Sequence, residues 1–214
     1  IVAFIGLIWL FFWLVALWSE KEKFRKFKYY ALHLSIQFII PLVINQLILG
    51  FNDSVTDRTT HPWGILYLRA YPESVFLPIH EPYGKFLHKI MTFRHIDWEG
   101  LSYIGLVSTI GFFFFLKHLF VNLFKGRFKN ILQVTESKIL NIFFWTSIAG
   151  LLYSFGLPYI LGLEFLLEYV GPLRQMRGIG RFAWLFFYII NIVTFYWLWK
   201  WFENTKYEYN FVCR

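Results

Sequence analysis

The sequence is poor in charge and nearly free of cysteine, and both shortages narrow the class of protein. Only 16% of its 214 residues are Asp, Glu, Lys or Arg, whereas a typical soluble domain has roughly 25%. Because Cys213 is the only cysteine, neither a disulfide framework nor a cysteine-based metal site can form within one chain. The HExxH metal-binding motif is also absent. A disulfide-stapled domain is excluded, and a soluble fold of ordinary composition is disfavoured.

Apolar and aromatic residues are abundant instead, at 57% and 23% of the chain. The mean hydropathy is +0.50, and a water-soluble fold of this size has too little interior to bury that much apolar surface. The net charge of +8 comes from short basic segments between apolar runs, which is typical of membrane topology rather than of nucleic-acid binding. We therefore expect the lipid bilayer to be a partner, and we expect no nucleic acid.

Five segments are long and apolar enough to cross a bilayer core of about 30 Å, which takes roughly 20 residues per helix. They are residues 1–18, 31–50, 101–120, 139–163 and 182–202. The predicted fold class is an all-α integral membrane protein with about five transmembrane helices and one long extracytoplasmic loop, residues 51–100. Because the sequence opens inside an apolar run and without Met, we expect 1–214 to be a single transmembrane domain and a fragment of a longer protein.

The distribution of basic residues predicts the orientation of these segments. Lysines and arginines concentrate between the first and second segments, between the third and fourth, and at the end of the fifth. Short basic loops stay on the cytoplasmic side of a membrane. The 51–100 loop and the 164–181 connection are therefore predicted to lie outside.

The 51–100 loop holds four of the six histidines and four of the seven prolines. The prolines exclude one long helix, and we predict short helical turns at 64–70 and 84–93. Imidazole and carboxylate groups suit Zn²⁺ or Mn²⁺, but the histidine spacings match no metal-ligand signature. We therefore favour solvated or hydrogen-bonding histidines over a divalent metal site, which the spacing leaves as an unsupported alternative, and we predict no cofactor. Arg58 and His61 are taken as candidate substrate-binding residues.

Two carboxylates flank Trp98 where the loop meets the third segment. Asp97 and Glu99 have two readings that the sequence leaves open. A carboxylate just before a helix complements the helix dipole and caps the span, and a carboxylate near low dielectric can act as an acid or base toward a substrate. Both residues are kept as candidate substrate-binding residues.

Three arginines, Arg174, Arg177 and Arg181, recur at spacings of three and four just before the fifth segment. Guanidinium groups are suited to phosphate because their donor fork matches phosphate oxygens. On the outer side they do not contribute to positive-inside orientation. The alternative is that they reach toward lipid headgroups or pair with acidic residues of the 164–181 connection. The sequence predicts a phosphate-binding segment and leaves this alternative open.

The motifs RTTHPWG, ESVFLP, WEGLSYIGL and LRQMRGIGRFAW occur in this order between residues 53 and 190. In order and placement they resemble the C-terminal half of large bacterial membrane proteins of the GT-C glycosyltransferase type. One departure is Ile179, where a small polar residue is expected.

The resemblance implies a multi-pass protein of the bacterial inner membrane that transfers a sugar from a polyprenyl-phosphate donor on the extracytoplasmic face. It implies that Arg177 and Arg181 face the donor phosphate and that Glu99 supports the donor or acceptor pocket. The catalytic acidic residue of such proteins lies in their first outer loop, so we expect it upstream of this chain.

Two other functions fit parts of the sequence. A transporter or flippase would use broken helices near the bilayer midplane, and Pro41, Asn45 and Gln46 in the second segment and Gly156 and Pro158 in the fourth would serve as its hinges. A non-catalytic structural membrane subunit is the third alternative. Of the three functions, it accounts least well for the arginine cluster and the polar loop.

Overall fold

The computed structural model describes residues 2–19, 23–52, 64–94, 96–169 and 178–212, and these residues form helices and turns without a strand. The long helices are α1 (Val2–Ser19), α2 (Lys23–Leu34), α3 (Ile40–Asn52), α7 (Leu106–Phe124), α9 (Lys138–Ser154) and α11 (Ala183–Val212). The short ones are α4 (Gly64–Tyr67), α5 (Pro72–Phe76), α6 (Gly84–Ile90), α8 (Phe128–Leu132) and α10 (Leu166–Tyr169). A π-helical turn, Ser35–Ile39, joins α2 to α3, and 3₁₀ turns occur at Trp98–Gly100, Tyr159–Leu161 and Gly180–Phe182.

Among the described residues, three helical stretches are long and apolar enough to cross a membrane, namely Lys26–Ile48, Leu106–Phe124 and Gly180–Glu203. A shorter apolar helix covers Ile5–Trp18, and α9 has 17 residues. The all-helical class is therefore confirmed for the described residues, with three helices that are candidates for crossing a membrane. The count of five spans and the outer position of the 51–100 loop stay predictions.

Two predicted segments have wrong boundaries, and the cause in both cases is a glycine in a backbone conformation that other residues rarely adopt. The 101–120 segment becomes helical only at Leu106, because Gly105 before it has a φ of +87°. The 139–163 segment stops being α-helical at Ser154, because Gly156 has a φ of +96° and Pro158 follows. The chain beyond Ser154 continues as turns.

The helices pack around α9, which contacts α1 on one side and α11 on another, while α11 also contacts α7. One core cluster between these helices is centred on the fully buried Phe144, Phe186 and Ile190. A second cluster joins α1 to the start of α11 through Tyr153 and Phe182, whose rings lie 4.9 Å apart. The N-terminal end of α11 is therefore fixed against the C-terminal end of α9.

A polar contact ties α11 to the start of α7 inside this apolar bundle. The Ser108 hydroxyl donates to the Asn191 side-chain oxygen (2.8 Å), and the Asn191 amide donates to the Ile104 carbonyl oxygen (3.2 Å).

Asn191→Ala removes both bonds and is expected to destabilise the protein by about 1 kcal/mol, the scale of interhelical hydrogen bonds in membranes. Thermal unfolding in detergent measures this loss. Asn130→Ala, at an exposed position, is the matched control, and equal losses in both variants would refute the assignment.

The described part of the 51–100 loop is folded against the helix ends. The predicted turns at 64–70 and 84–93 are present as Gly64–Tyr67 and Gly84–Ile90, and α5 is an additional helix. The Ala70 amide donates to the carbonyl oxygen of Ser154 at the end of α9 (3.0 Å), and the Ile104 amide donates to that of Val75 in α5 (3.0 Å). This segment therefore forms one structural layer over the ends of α9 and α7.

Candidate functional site

The candidate site lies where three backbone segments meet at the start of α11. The Gly180 amide donates to the carbonyl oxygen of Leu68, which follows α4 (3.0 Å). The Trp98–Gly100 turn packs against the residue after Leu68, because a Cβ atom added at Gly100 would lie 2.6 Å from the carbonyl oxygen of Arg69. These contacts bring together three segments that are distant in the sequence, around Leu68, Gly100 and Gly180.

A salt bridge between Glu99 and Arg181 is the centre of this site. The Arg181 Nη2 atom lies 2.6 Å from Glu99 Oε1. The Glu99 side chain is only 4% exposed, whereas that of Arg181 is 47% exposed. The guanidinium carbon of Arg181 also lies 5.5 Å from the centroid of the Trp98 ring, a cation–π distance. The carboxylate and the ring orient the guanidinium, and almost half of the Arg181 side chain stays exposed.

The second carboxylate oxygen of Glu99 faces the chain at Gly178. This Oε2 atom is buried and has no hydrogen-bond partner among the described residues. A Cβ atom at Gly178 would overlap it, and a Cβ atom at Gly180 would lie 2.9 Å from the Glu99 carbonyl oxygen. The glycines of the RGIGRF stretch therefore allow the backbone to approach the carboxylate closely enough to cover it.

Ser74 of α5 supports the Trp98–Gly100 turn from the other side. Its buried hydroxyl lies 2.7 Å from the carbonyl oxygen of Gly100 and accepts a hydrogen bond from the Tyr71 amide (3.1 Å). Beyond the turn, the Trp184 indole in α11 donates to the Leu101 carbonyl oxygen (3.3 Å). The turn that carries Trp98 and Glu99 is therefore bonded to α5 on one side and to α11 on the other.

Within the described ranges, no group of three or more His, Cys, Asp or Glu side chains lies close enough together to hold a metal ion. What the described residues do offer is an oriented guanidinium, that of Arg181, whose side chain is 47% exposed. Such a group binds anions, and its planar fork fits two oxygens of one phosphate or carboxylate.

A family model described as "Domain of unknown function (DUF6311)" matches residues 1–213 of the chain. The chain belongs to the DUF6311 family. No curated protein and no solved structure matches it. The DUF6311 match includes both the loop segment that carries Glu99 and the segment that carries Arg181.

The sequence-predicted residues of this DUF6311 member fall into three groups. Glu99 and Arg181 are in direct contact. Asp97 immediately precedes the 3₁₀ turn and is half-buried, and its carbonyl oxygen accepts a hydrogen bond from the Gly100 amide (2.9 Å). The other four candidates, Arg58, His61, Arg174 and Arg177, lie outside the described residues.

Two structural alternatives raised by the sequence are wrong for the residues that the structure describes. Glu99 does not cap the third span, because α7 begins at Leu106 with Gly105 as its N-cap and the Glu99 carboxylate binds Arg181 instead. Arg181 does not pair with an acid of the 164–181 connection, since its partner is Glu99. Sequence spacing could not reveal this pair, because its members are 82 positions apart.

Proposed function

We propose that this chain is part of a membrane glycosyltransferase that transfers a sugar from a polyprenyl-phosphate donor on the extracytoplasmic face. The observation that carries the proposal is the Arg181 guanidinium, which is oriented by a buried carboxylate and an aromatic ring yet remains half exposed. Arg181 would bind the donor phosphate and stabilise the charge that develops on it as the glycosidic bond breaks. The carboxylate that activates the acceptor hydroxyl would come from another part of the complete protein.

An apolar groove between α5 and α7 supports a lipid-linked donor. It has a volume of about 320 Å³. Its lining consists of Pro72, Glu73, Phe76, Leu77, Phe112, Phe113 and Leu116. Phe76 stacks on Phe112 with ring centroids 5.0 Å apart, so the groove lies between α5 and the candidate span α7. Ser74, on the same short helix α5, contacts the Trp98–Gly100 turn, so α5 connects the groove to the turn that carries Glu99.

The proposed topology is a multi-pass protein of the inner membrane with five spans. In addition to the three stretches of spanning length, α1 and α9 would cross the bilayer, with 18 and 17 residues respectively. Basic residues at Lys125 and Arg127 would face the cytoplasm under the positive-inside rule. The layer of residues 64–100 and the start of α11 would then share the outer face.

Arg181→Lys in the complete protein tests the proposal. Lysine keeps the positive charge beside Glu99 but lacks the planar donor fork. We expect transfer of labelled sugar from a polyprenyl-phosphate donor to fall by at least about tenfold, the effect of losing one charge-assisted hydrogen bond. The amount of protein in the membrane should not change. Arg127→Lys, an exposed arginine between α7 and α8, is the matched control. Unchanged transfer in Arg181→Lys would remove Arg181 from the mechanism.

A transporter or flippase remains the second candidate because of the helix that includes α2 and α3. The Ile40 amide donates to the Ser35 carbonyl oxygen, which is the bond of a π-helical turn, and Pro41 follows directly. Pro41 has no N–H to donate, and π-helical turns often mark functional positions in helices. Substrate flux into protein-containing vesicles without any sugar transfer would favour this candidate over the enzyme. A structural subunit would show neither activity.

A further inference from the structure

We propose that Arg69, Tyr71 and Arg94 form a second anion-binding site, which takes a phosphate group. This site, called the Tyr71 cluster below, is separate from the Glu99–Arg181 pair. It does not depend on sugar transfer being the activity of the protein. The ligand is a phosphate group, presented either by a lipid headgroup or as free phosphate.

The two guanidinium groups converge on one aromatic ring. The guanidinium carbon of Arg69 lies 4.9 Å from the centroid of the Tyr71 ring, and that of Arg94 lies 5.5 Å from it. Both distances are within the range of cation–π contacts. The ring attracts each cation, and the two contacts bring the like charges to within about 10 Å of each other, where they repel. An anion bound at the two cations would relieve this repulsion.

No carboxylate neutralises the Tyr71 cluster within the part of the chain that the structure describes. The ion pairs found there involve Lys85, Arg181 and Lys200, and neither Arg69 nor Arg94 takes part in one. The Arg69 Nε atom is buried and has no hydrogen-bond partner among the described residues. Unpaired buried polar atoms are uncommon in folded proteins and point to a missing partner.

The backbone holds Arg69 in place. The amide of the next residue, Ala70, donates to the Ser154 carbonyl oxygen (3.0 Å), and the Arg69 carbonyl packs against Gly100. The side chain crosses Gly156, where a Cβ atom would lie 3.3 Å from Nη1 and 3.4 Å from Cδ of Arg69. Gly156 therefore leaves the space that the guanidinium occupies.

A simpler role for Arg69 is to complement the C-terminal end of α9, where cations are stabilised by the helix dipole. The structure shows no hydrogen bond from its guanidinium to the last carbonyl groups of that helix. This role also leaves the position of Arg94 unexplained, because Arg94 is exposed and makes its contact with the Tyr71 ring. A shared anion accounts for both arginines.

The location of the Tyr71 cluster favours a phosphate over a carboxylate ligand. The cluster lies beside the C-terminal end of α9, whose neighbour α11 contains a stretch of spanning length. Lipid phosphates lie at such helix ends, where arginine side chains meet the headgroups. Two guanidinium groups also match the several oxygens and the charge of a phosphate.

The test uses the complete protein purified in a neutral detergent, with two probes. Inorganic ³²P-phosphate binding is measured by equilibrium dialysis, and retention of phosphatidylglycerol against phosphatidylcholine is measured by native mass spectrometry. The variants are Arg94→Gln and Arg69→Gln, and Arg127→Gln is the control that loses the same charge elsewhere. Because Arg94 is exposed, its substitution should leave folding intact, as the unfolding temperature will show.

We expect the affinity for one probe to fall by about tenfold in Arg94→Gln and Arg69→Gln and not in Arg127→Gln, as the loss of a charge-assisted hydrogen bond predicts. Loss of phosphatidylglycerol retention identifies a lipid headgroup as the source, and loss of phosphate binding alone identifies a free phosphate. The proposal is overturned if wild type retains neither probe, or if the control loses as much as the two variants. The proposal is also overturned if Arg94→Gln and Arg69→Gln bind both probes as tightly as wild type does, and because sugar transfer is not part of the readout, that result leaves the role of Arg181 untouched.

Discussion

Gly180→Ala is expected to destabilise the protein by about 3 kcal/mol, the upper part of the range for inserting atoms into a packed site. A Cβ atom at this position would lie 2.9 Å from the Glu99 carbonyl oxygen, from the Gly100 α-carbon and from the Leu68 carbonyl oxygen. All three are backbone atoms, so no side chain can rotate away. The Gly180 amide also bonds to the same Leu68 carbonyl, which prevents the two segments from separating without the loss of that bond.

Thermal unfolding in detergent measures this effect, and Gly50→Ala is its matched control. Gly50 lies in α3 with no atom within 4 Å of an added Cβ, and alanine has a higher helix propensity than glycine. We therefore expect Gly50→Ala to leave stability unchanged or slightly raised. A Gly180→Ala protein as stable as wild type would show that the Leu68, Glu99 and Gly180 segments are not packed as described.

The long helices are the part of the fold that the sequence predicts well, because apolar length alone specifies them. Helices occupy the middle of all five predicted segments, and three stretches reach spanning length and composition. The boundaries were wrong at Gly105 and Gly156, since the apolar runs continue through both glycines, whereas the positive φ of Gly105 delays the start of α7 and that of Gly156 follows the end of α9. Hydropathy records the apolar character of a residue, and it does not record backbone conformation.

For the candidate site, the sequence predicts some of the residues but not their contacts. Glu99 and Arg181 were both selected from their chemistry, yet their contact was not foreseen, because it depends on how α11 packs against the residues after α4. Arg69 and Arg94 were not selected at all. In the sequence they look like ordinary polar residues of a loop, and only the fold brings both of them onto the Tyr71 ring.

Arg181→Ala is expected to cost more stability than Glu99→Ala, although both remove the same salt bridge. Arg181→Ala leaves a carboxylate that is 4% exposed without its partner, and an unpaired buried charge costs several kcal/mol. Glu99→Ala leaves a guanidinium that is 47% exposed and can bind water. We expect losses of about 3 kcal/mol for Arg181→Ala and about 1 kcal/mol for Glu99→Ala.

The double variant Arg181→Ala, Glu99→Gln separates the effect of the unpaired charge from that of lost packing. Glutamine has nearly the shape of glutamate but no charge, so the double variant should be more stable than Arg181→Ala alone. Thermal unfolding of wild type, the two single variants Arg181→Ala and Glu99→Gln, and the double variant forms a complete cycle. If the double variant is less stable than Arg181→Ala, the carboxylate is not destabilised by the loss of its partner. In that case Arg181 would stabilise the protein chiefly through its contact with Trp98.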